Sequence, residues 1–310
     1  MKILITGIHG FVGSNLVATL RENHTIYGMD IISPIKEGVS FTFQWEELDR
    51  GSIPDVDAII HLAGKAHDTK NQADADVYFK VNTELTKKIY DYFLKSSARK
   101  FIFFSTAKAA ADKVDGILTE DVVPAPVGPY GESKIKAEEY IQAHPTPDKQ
   151  VYILRPCMIH GPGNKGNLNL LYNVVKKGIP WPLGAFENRR TFTSIDNLSF
   201  VISGLLTKDV PSGIYNMGDD EAVSTNELVE LIAESLGKKA QIWKLPKGMM
   251  NGLAKVGGWL HLPLDPERLR KLTENYVSSN AKIKAALKID QMPVRAVEGL
   301  KRTLISFNKQ

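Results

Sequence analysis

Short, nearly uninterrupted apolar runs alternate with longer amphipathic segments through the first half of the chain, and this alternation leaves few architectures open. The runs KILIT (2–6), TIYGMD (25–30), DAIIHLA (57–63), KFIFFS (100–105) and VYILRP (151–156) read as strands. Their continuity in apolar residues is what a parallel sheet covered on both faces requires. Helical periodicity fills 12–22, 75–97 and 131–143 between them. Strand and helix in turn imply an α/β fold, a doubly wound parallel sheet with right-handed crossovers. After Pro156 the pattern shifts. HGPGNKGN (160–167) is a loop, and helical patterns then dominate, broken by one apolar strand, GIYNMG (213–218). No long linker, internal repeat or low-complexity tract separates the halves.

The glycines of TGIHGFVGS sharpen this reading. Gly7, Gly10 and Gly13 follow the first strand and open the first helix. A chain turning there needs positive φ or missing Cβ atoms. The first-turn N–H groups, around Phe11 and Val12, have no acceptor within their helix, and the helix dipole adds partial positive charge. Together they form a phosphate cradle, as in the Rossmann fold. Asp30 closes the second strand, 17 residues beyond Gly13. A carboxylate there accepts the hydroxyls of an adenosine ribose and repels a 2′-phosphate, which favours NAD over NADP. The expected organisation is a Rossmann domain at 1–160, to which 190–210 returns, and a smaller, mostly helical substrate lobe within 161–310.

Bulk properties narrow the function classes. The 310 residues are 43% hydrophobic and 24% charged, ordinary for a globular enzyme. The net charge of +4 is scattered, which argues against nucleic acid and suits a small anionic ligand. No apolar run approaches the ~20 residues of a membrane span. The start, MKILITG, is basic then apolar like a signal peptide, but glycine and histidine break it and no cleavage site follows. The single cysteine, Cys157, excludes an intrachain disulfide and fits a reducing compartment; it reads as an inert thiol. A cytoplasmic protein is expected. His61 and His67 flank LAGKA without metal-ligand spacing, so no metal is expected.

In YGESK, Tyr130 and Lys134 lie four residues apart, one turn of helix, on one face. They follow KFIFFST, a strand whose carboxyl end carries Ser105 and Thr106, where open α/β sheets bind ligands. A cation about 4 Å from a phenol, at an effective dielectric of about 20, contributes roughly 4 kcal/mol. At that upper bound Lys134 would lower the Tyr130 phenol by nearly ~3 pKa units. Tyr130 would then be a general acid/base, with Thr106 sharing the substrate oxygen.

With these elements in order the chain resembles the extended short-chain dehydrogenase/reductase family of sugar-nucleotide epimerases, dehydratases and reductases. The resemblance rests on TGIHGFVG (6–13), DAIIHLAG (57–64), Asn82 in YFKVNTE, FFST (103–106), YGESKIKAE (130–138), LRPCMIHGPG (154–163) and NRRTFTSIDNL (188–198), over most of the chain. It implies Thr106, Tyr130 and Lys134 as the catalytic set. It also implies cofactor contacts from Lys134, Asn82, Pro156 and the HLAG residues Leu62, Ala63 and Gly64. Asn167 and Arg190 would meet the diphosphate and nucleotide of a nucleotide-sugar substrate, UDP-linked by this resemblance, and Lys108 would lie beside the sugar. The family's 4,6-dehydratases carry Asp-Glu directly after the Thr; Ala107 and Lys108 stand there instead, which argues against dehydration. Ala110 and Ala111 replace a usual Tyr-Gly, and His160 a usual Tyr, which points to an altered sugar pocket.

Around Lys108 and in GNLNLLYNVVKKGIPWPLGAFENRR the chain looks like bacterial reductases and epimerases acting at C4 of UDP-sugars in surface polysaccharide synthesis. The expected reaction is reduction of a UDP-4-keto-6-deoxy-N-acetylhexosamine. A UDP-hexose or UDP-N-acetylhexosamine 4-epimerase with tightly held NAD uses the same residues. A non-catalytic dinucleotide sensor or scaffold is the reading from another class, and the retained Tyr130 and Lys134 count against it. One apolar side on each of 75–97 and 131–143 suits the family's homodimer. In KGMMNGLAKVGGWLHLPL (247–264) the stripe Met249, Met250, Leu253, Val256, Trp259 and Leu260 is expected to pack on the lobe or edge the substrate mouth, with peripheral membrane contact as the alternative.

Overall fold

The computed structural model describes residues 1–66, 74–164, 166–259 and 264–308. His67 and Leu260 lie outside them. Seven strands form one parallel sheet: β1 (Lys2–Thr6), β2 (Thr25–Met29), β3 (Phe41–Phe43), β4 (Ala58–His61), β5 (Lys100–Phe104), β6 (Gln150–Pro156) and β7 (Gly213–Met217), in the order β7-β6-β5-β4-β1-β2-β3. This is the doubly wound Rossmann arrangement. The order reverses between β1 and β4, so the crevice at their carboxyl ends is the natural ligand site. The chain's return to the sheet runs past residue 210, because β7 is the edge strand beside β6.

Helix α1 (Phe11–Leu20) covers one face together with α6 (Ile195–Thr207) and α10 (Ala281–Leu287). The other face is covered by α2 and α4 (Pro129–Ala143). Helix α2 is a continuous run of Ala75–Tyr78, a π-helical stretch Phe79–Glu84, and Leu85–Lys95. A one-turn helix, α3 (Ala107–Ala110), follows β5. Helices α5 (Asn167–Lys176), α7 (Thr225–Ser235), α8 (Lys247–Trp259), α9 (Pro266–Thr273) and α11 (Ala296–Phe307) surround a separate core in the second lobe. Two short parallel pairs, Met158–His160 with Phe192–Ser194 and Ile117–Leu118 with Val277–Ser278, stitch the lobes together. No helix among the described residues is long and apolar enough to cross a membrane.

One expectation fails against this architecture and another is met only in part. His160 lines no open sugar pocket. It is wholly buried, hydrogen-bonded through Nδ1 to Thr303 Oγ1 at 2.9 Å, with Nε2 3.5 Å from Asp219 Oδ2. The 247–264 stripe packs on the lobe only in part: α8 buries Met250 of the stripe, with Ala254 and Gly257, and leaves Met249, Leu253, Val256 and Trp259 exposed. Periodicity locates an apolar stripe, but here the smaller residues allow the closer approach and take the inner face.

Candidate functional site

At the β1–α1 turn the chain doubles back on itself so tightly that a Cβ on Gly13 would sit 2.5 Å from the Gly7 carbonyl oxygen. Gly7 has φ +71°, and Gly10 N–H donates to its carbonyl at 3.0 Å. The bare backbone that results at the start of α1 fits a pyrophosphate. Asp30, just beyond β2, steadies this turn: its Oδ2 accepts from His9 N–H at 3.0 Å and its Oδ1 from Ile31 N–H at 2.8 Å. Lys36, which the sequence reading missed, donates to Ser14 Oγ at 2.7 Å in the first turn of α1. Phe11 faces the loop after β6, where a Cβ on Gly161 would lie 3.4 Å from its ring.

A buried relay links β1, β4 and α2. Ala63 N–H donates to Thr6 Oγ1 (3.1 Å), and Thr6 Oγ1 lies 2.7 Å from His61 Nδ1. His61 Nε2 lies 2.9 Å from Thr86 Oγ1, which donates to the Asn82 carbonyl at 2.7 Å. Only the Nε2–H tautomer lets every hydroxyl give its single proton once, so the partners assign it. Burial, aided by Lys134, holds His61 well below the usual imidazole value and hence neutral. Among the described residues no group of three His, Cys, Asp or Glu could hold a metal ion.

Asn82 lies in the π-helical stretch, a distortion that often marks a functional site. Its side chain accepts from Lys65 N–H (2.8 Å) and donates to the Lys65 carbonyl (3.1 Å) and to Ser133 Oγ (3.0 Å). It therefore fastens the loop after β4, with Leu62, Ala63 and Gly64, to the first turns of α4. A Cβ on Gly64 would come within 3.0 Å of both Asn82 Oδ1 and Lys134 Nζ, so the loop, Asn82 and Lys134 converge.

Helix α4 begins with Pro129 at its first position, a residue whose fixed φ suits a helix start. Gly131 lets it approach α3: a Cβ there would meet the Lys108 carbonyl at 2.7 Å. That approach brings the Tyr130 phenol near enough to the Thr106 side chain to be influenced by it. Lys134, 4% exposed, donates to the Phe104 carbonyl at 2.8 Å and lies 5.0 Å from the Phe103 ring centroid. Burial lowers it to about 8, against the opposing pull of Glu138. The Tyr130 phenol is raised by burial, with the Thr106 side chain working against the rise. The expected lowering by Lys134 does not occur in the protein alone, because the Lys134 ammonium is turned to the Phe104 carbonyl and the burial that disfavours it also disfavours a phenolate.

One turn further along α4, Glu138 forms a wholly buried pair with Arg155 of β6, 2.6 Å at its shortest, and accepts from Ser105 Oγ. The YGESKIKAE motif contains Glu138, but only the fold reveals its partner. Pro156 ends β6 directly after Arg155. Cys157 is buried, its thiol pushed up to about 12, as befits an inert packing residue.

Toward the second lobe, Lys108 pairs with Asp112 at 2.6 Å, and Asp112 with Arg270 of α9 at 3.1 Å. Arg270 continues to Glu274 at 3.1 Å. Burial lowers Arg190 from its ordinary value, and the Glu274 charge works against that shift. Arg190 also donates to the Lys271 carbonyl. Lys108, Asp112, Arg270 and Glu274 thus form a chain of alternating charge. Asn167 stands apart, exposed in the first turn of α5. Ala110 and Ala111 are buried beneath Tyr276, whose hydroxyl donates to the Ala111 carbonyl at 2.8 Å.

The family model described as "NAD dependent epimerase/dehydratase family" matches residues 3–218. The chain belongs to the NAD-dependent epimerase/dehydratase family. It is 31% identical to the UDP-glucose 4-epimerase of Vibrio cholerae over 79% of its own length and 78% of that protein. It is 27% identical to the N-acetyl-α-D-glucosaminyl-diphospho-ditrans,octacis-undecaprenol 4-epimerase of Escherichia coli O157:H7, over 83% and 81%. The fold matches the UDP-glucuronic acid 4-epimerase of Bacillus cereus crystallised with NAD, with TM-score 0.76 and 22% identity over 100% of this chain and 99% of that one. The chain is therefore an enzyme whose cofactor is NAD. Bare backbone at Gly7–Gly13, a carboxylate at Asp30 just beyond β2 and the converging Gly64, Asn82 and Lys134 fit what that dinucleotide needs of its site.

Proposed function

We propose that this enzyme carries out redox chemistry at C4 of a UDP-linked sugar, as a 4-epimerase. The observation that carries the reading is the approach of the Tyr130 phenol to Thr106 at the carboxyl end of β5, with Lys134 buried one turn on along α4. When bound, NAD supplies the acceptance and return of hydride. The chain's own residues handle the proton. Thr106 holds the O4 oxygen, and Tyr130 takes its proton on oxidation and gives it back on reduction. Burial keeps Tyr130 as the phenol, the donating form. The accepting phenolate would be favoured by the positive ring of the oxidised cofactor. Arg190, Lys108 and Asn167 are the candidates for the nucleotide-sugar side, and Arg190's guanidinium suits a diphosphate.

Dehydration is disfavoured on the same geometry. Asp112, the carboxylate tied to Lys108, is held below its ordinary range by Lys108 and Arg270 despite its partial burial. An ionised carboxylate cannot act as the proton donor of an elimination. The second reading is 4-keto reduction of a UDP-6-deoxyhexosamine, favoured by the protonated phenol poised to quench an alkoxide at C4. The two separate in one assay. Conversion of UDP-glucose to UDP-galactose without added dinucleotide marks the epimerase, whereas NADH consumption only with a 4-keto sugar nucleotide marks the reductase. In either case Tyr130→Phe should retain dinucleotide binding while turnover falls by about 10²-fold or more. Near wild-type turnover in that variant would refute the assignment of Tyr130.

A further inference from the structure

Helix α8 turns an apolar face outward. Met249, Leu253 and Val256 are 45%, 52% and 51% exposed, and Trp259 is 80% exposed. Met249, Leu253 and Val256 recur at the i, i+4, i+7 spacing that aligns side chains along one side of a helix, with Trp259 one turn on at its flank. Isolated exposed apolar residues are commonplace, but an aligned group of this size marks a contact surface.

Charge identifies what the contact is with. Between Glu234 and Asp265 the chain carries five lysines, Lys238, Lys239, Lys244, Lys247 and Lys255, and no aspartate, glutamate or arginine. All five are exposed. Elsewhere in the chain acids and bases are interspersed, so the net charge is only +4. Another exposed tryptophan, Trp243, sits in the segment leading to α8. An outward apolar helix face, interfacial tryptophans and lysines unrelieved by carboxylates are together the composition of a helix that lies in the headgroup region of a bilayer. A protein surface of ordinary composition would offer such a stretch few partners for its lysines, whereas an anionic bilayer answers the apolar and the cationic parts at once.

We propose that α8 and the lysine-rich segment before it dock this enzyme on an anionic membrane surface. The contact is peripheral: α8 lies along the interface and does not span it. Helix α8 packs on α9, and α9 carries Arg270, bonded through Asp112 to Lys108. Docking therefore turns the rim of the candidate sugar site toward the bilayer. The proposal does not depend on which C4 reaction the site performs.

Co-sedimentation of the full chain with vesicles tests it, comparing phosphatidylcholine alone with phosphatidylcholine containing one part in three of phosphatidylglycerol. The protein should sediment with the anionic vesicles, remain in the supernatant with the neutral ones, and be released by high salt. Leu253→Asp should abolish sedimentation. The triple variant Lys244→Gln, Lys247→Gln, Lys255→Gln, which leaves the apolar face intact, should weaken it by about tenfold or more. All these positions are exposed, so the variants should melt as the wild type does, and circular dichroism checks that. Absence of binding to anionic vesicles, equal binding to neutral ones, or binding indifferent to both variants would each overturn the proposal. So would a dimer in light scattering that Leu253→Asp dissociates while vesicles are ignored, since a second copy would then be the occupant.

Discussion

At the scale of single residues, Lys134 shows most directly how function is set against stability. An ammonium 4% exposed, with the Phe104 carbonyl as its hydrogen-bond acceptor, has its pKa lowered from 10.5 to about 8. A lowered value in the folded state means that the unfolded chain binds the proton more readily. The penalty is therefore complete below about pH 8 and is relieved as pH climbs from there toward 10.5. Its upper bound is about 3 kcal/mol, part of it offset by the carbonyl bond. Lys134→Met should consequently melt at a higher temperature than wild type at pH 7, with the gap closing by about pH 10, while turnover is lost. Scanning calorimetry at the two pH values reads this directly; a destabilised variant at pH 7 would show that the buried ammonium is a net stabiliser. The sequence spacing alone pairs Lys134 with Tyr130 correctly on one helix face. What it cannot reveal is the direction of the ammonium, because the Phe104 carbonyl becomes its neighbour only when β5 is laid against α4.

At the scale of elements, the joint between α4 and β6 is the one that most depends on buried charge. Glu138 is 0% and Arg155 1% exposed, and the carboxylate also takes the Ser105 hydroxyl beside Thr106. One guanidinium nitrogen, Nη1 of Arg155, has no hydrogen-bond partner, so the pair is not fully compensated. Removing one member leaves the other as an isolated buried charge, which typically costs about 3–5 kcal/mol. Glu138→Gln should lose stability on that order in urea unfolding, whereas Glu138→Leu combined with Arg155→Met should recover most of it. If the double variant were as unstable as the single, the pair would be a genuine source of stability. The main strands were legible before the structure because each is a continuous apolar run between turn residues. Strand β3 was not: three residues, Phe41–Phe43, after an exposed loop carry too little pattern. The π-helical stretch of α2 was hidden for a different reason, since one widened turn does not disturb the helical period enough to be seen. Helix α8 was placed correctly, but of its stripe only Met250 meets the core, because a periodic stripe does not say how much of it is covered.

At the scale of the whole molecule, the chain's two lobes are woven together, and this has a measurable consequence. The family match ends at residue 218, yet the core beneath the sheet takes Ile283 and Leu287 from α10, and Met292 beyond it. The chain crosses from sheet to lobe, returns for α6 and β7, leaves for α7 to α9, and returns again for α10 before ending in the lobe with α11. Asn197 of α6 binds both Asp219 (2.7 Å) and the Val294 carbonyl (2.7 Å), tying the return segments to one another across the sequence. Cooperative unfolding follows when neither core can be completed by a contiguous piece of chain. The tryptophans allow this to be checked, since Trp45 sits beside the sheet while Trp181, Trp243 and Trp259 belong to the lobe. With Trp45 as the sole tryptophan in one variant and Trp181 in another, thermal melts followed by fluorescence should superimpose on each other and on the circular dichroism transition. Two separated midpoints would mean that the lobe unfolds by itself and that the contribution of α10 to the sheet core is too weak to couple them.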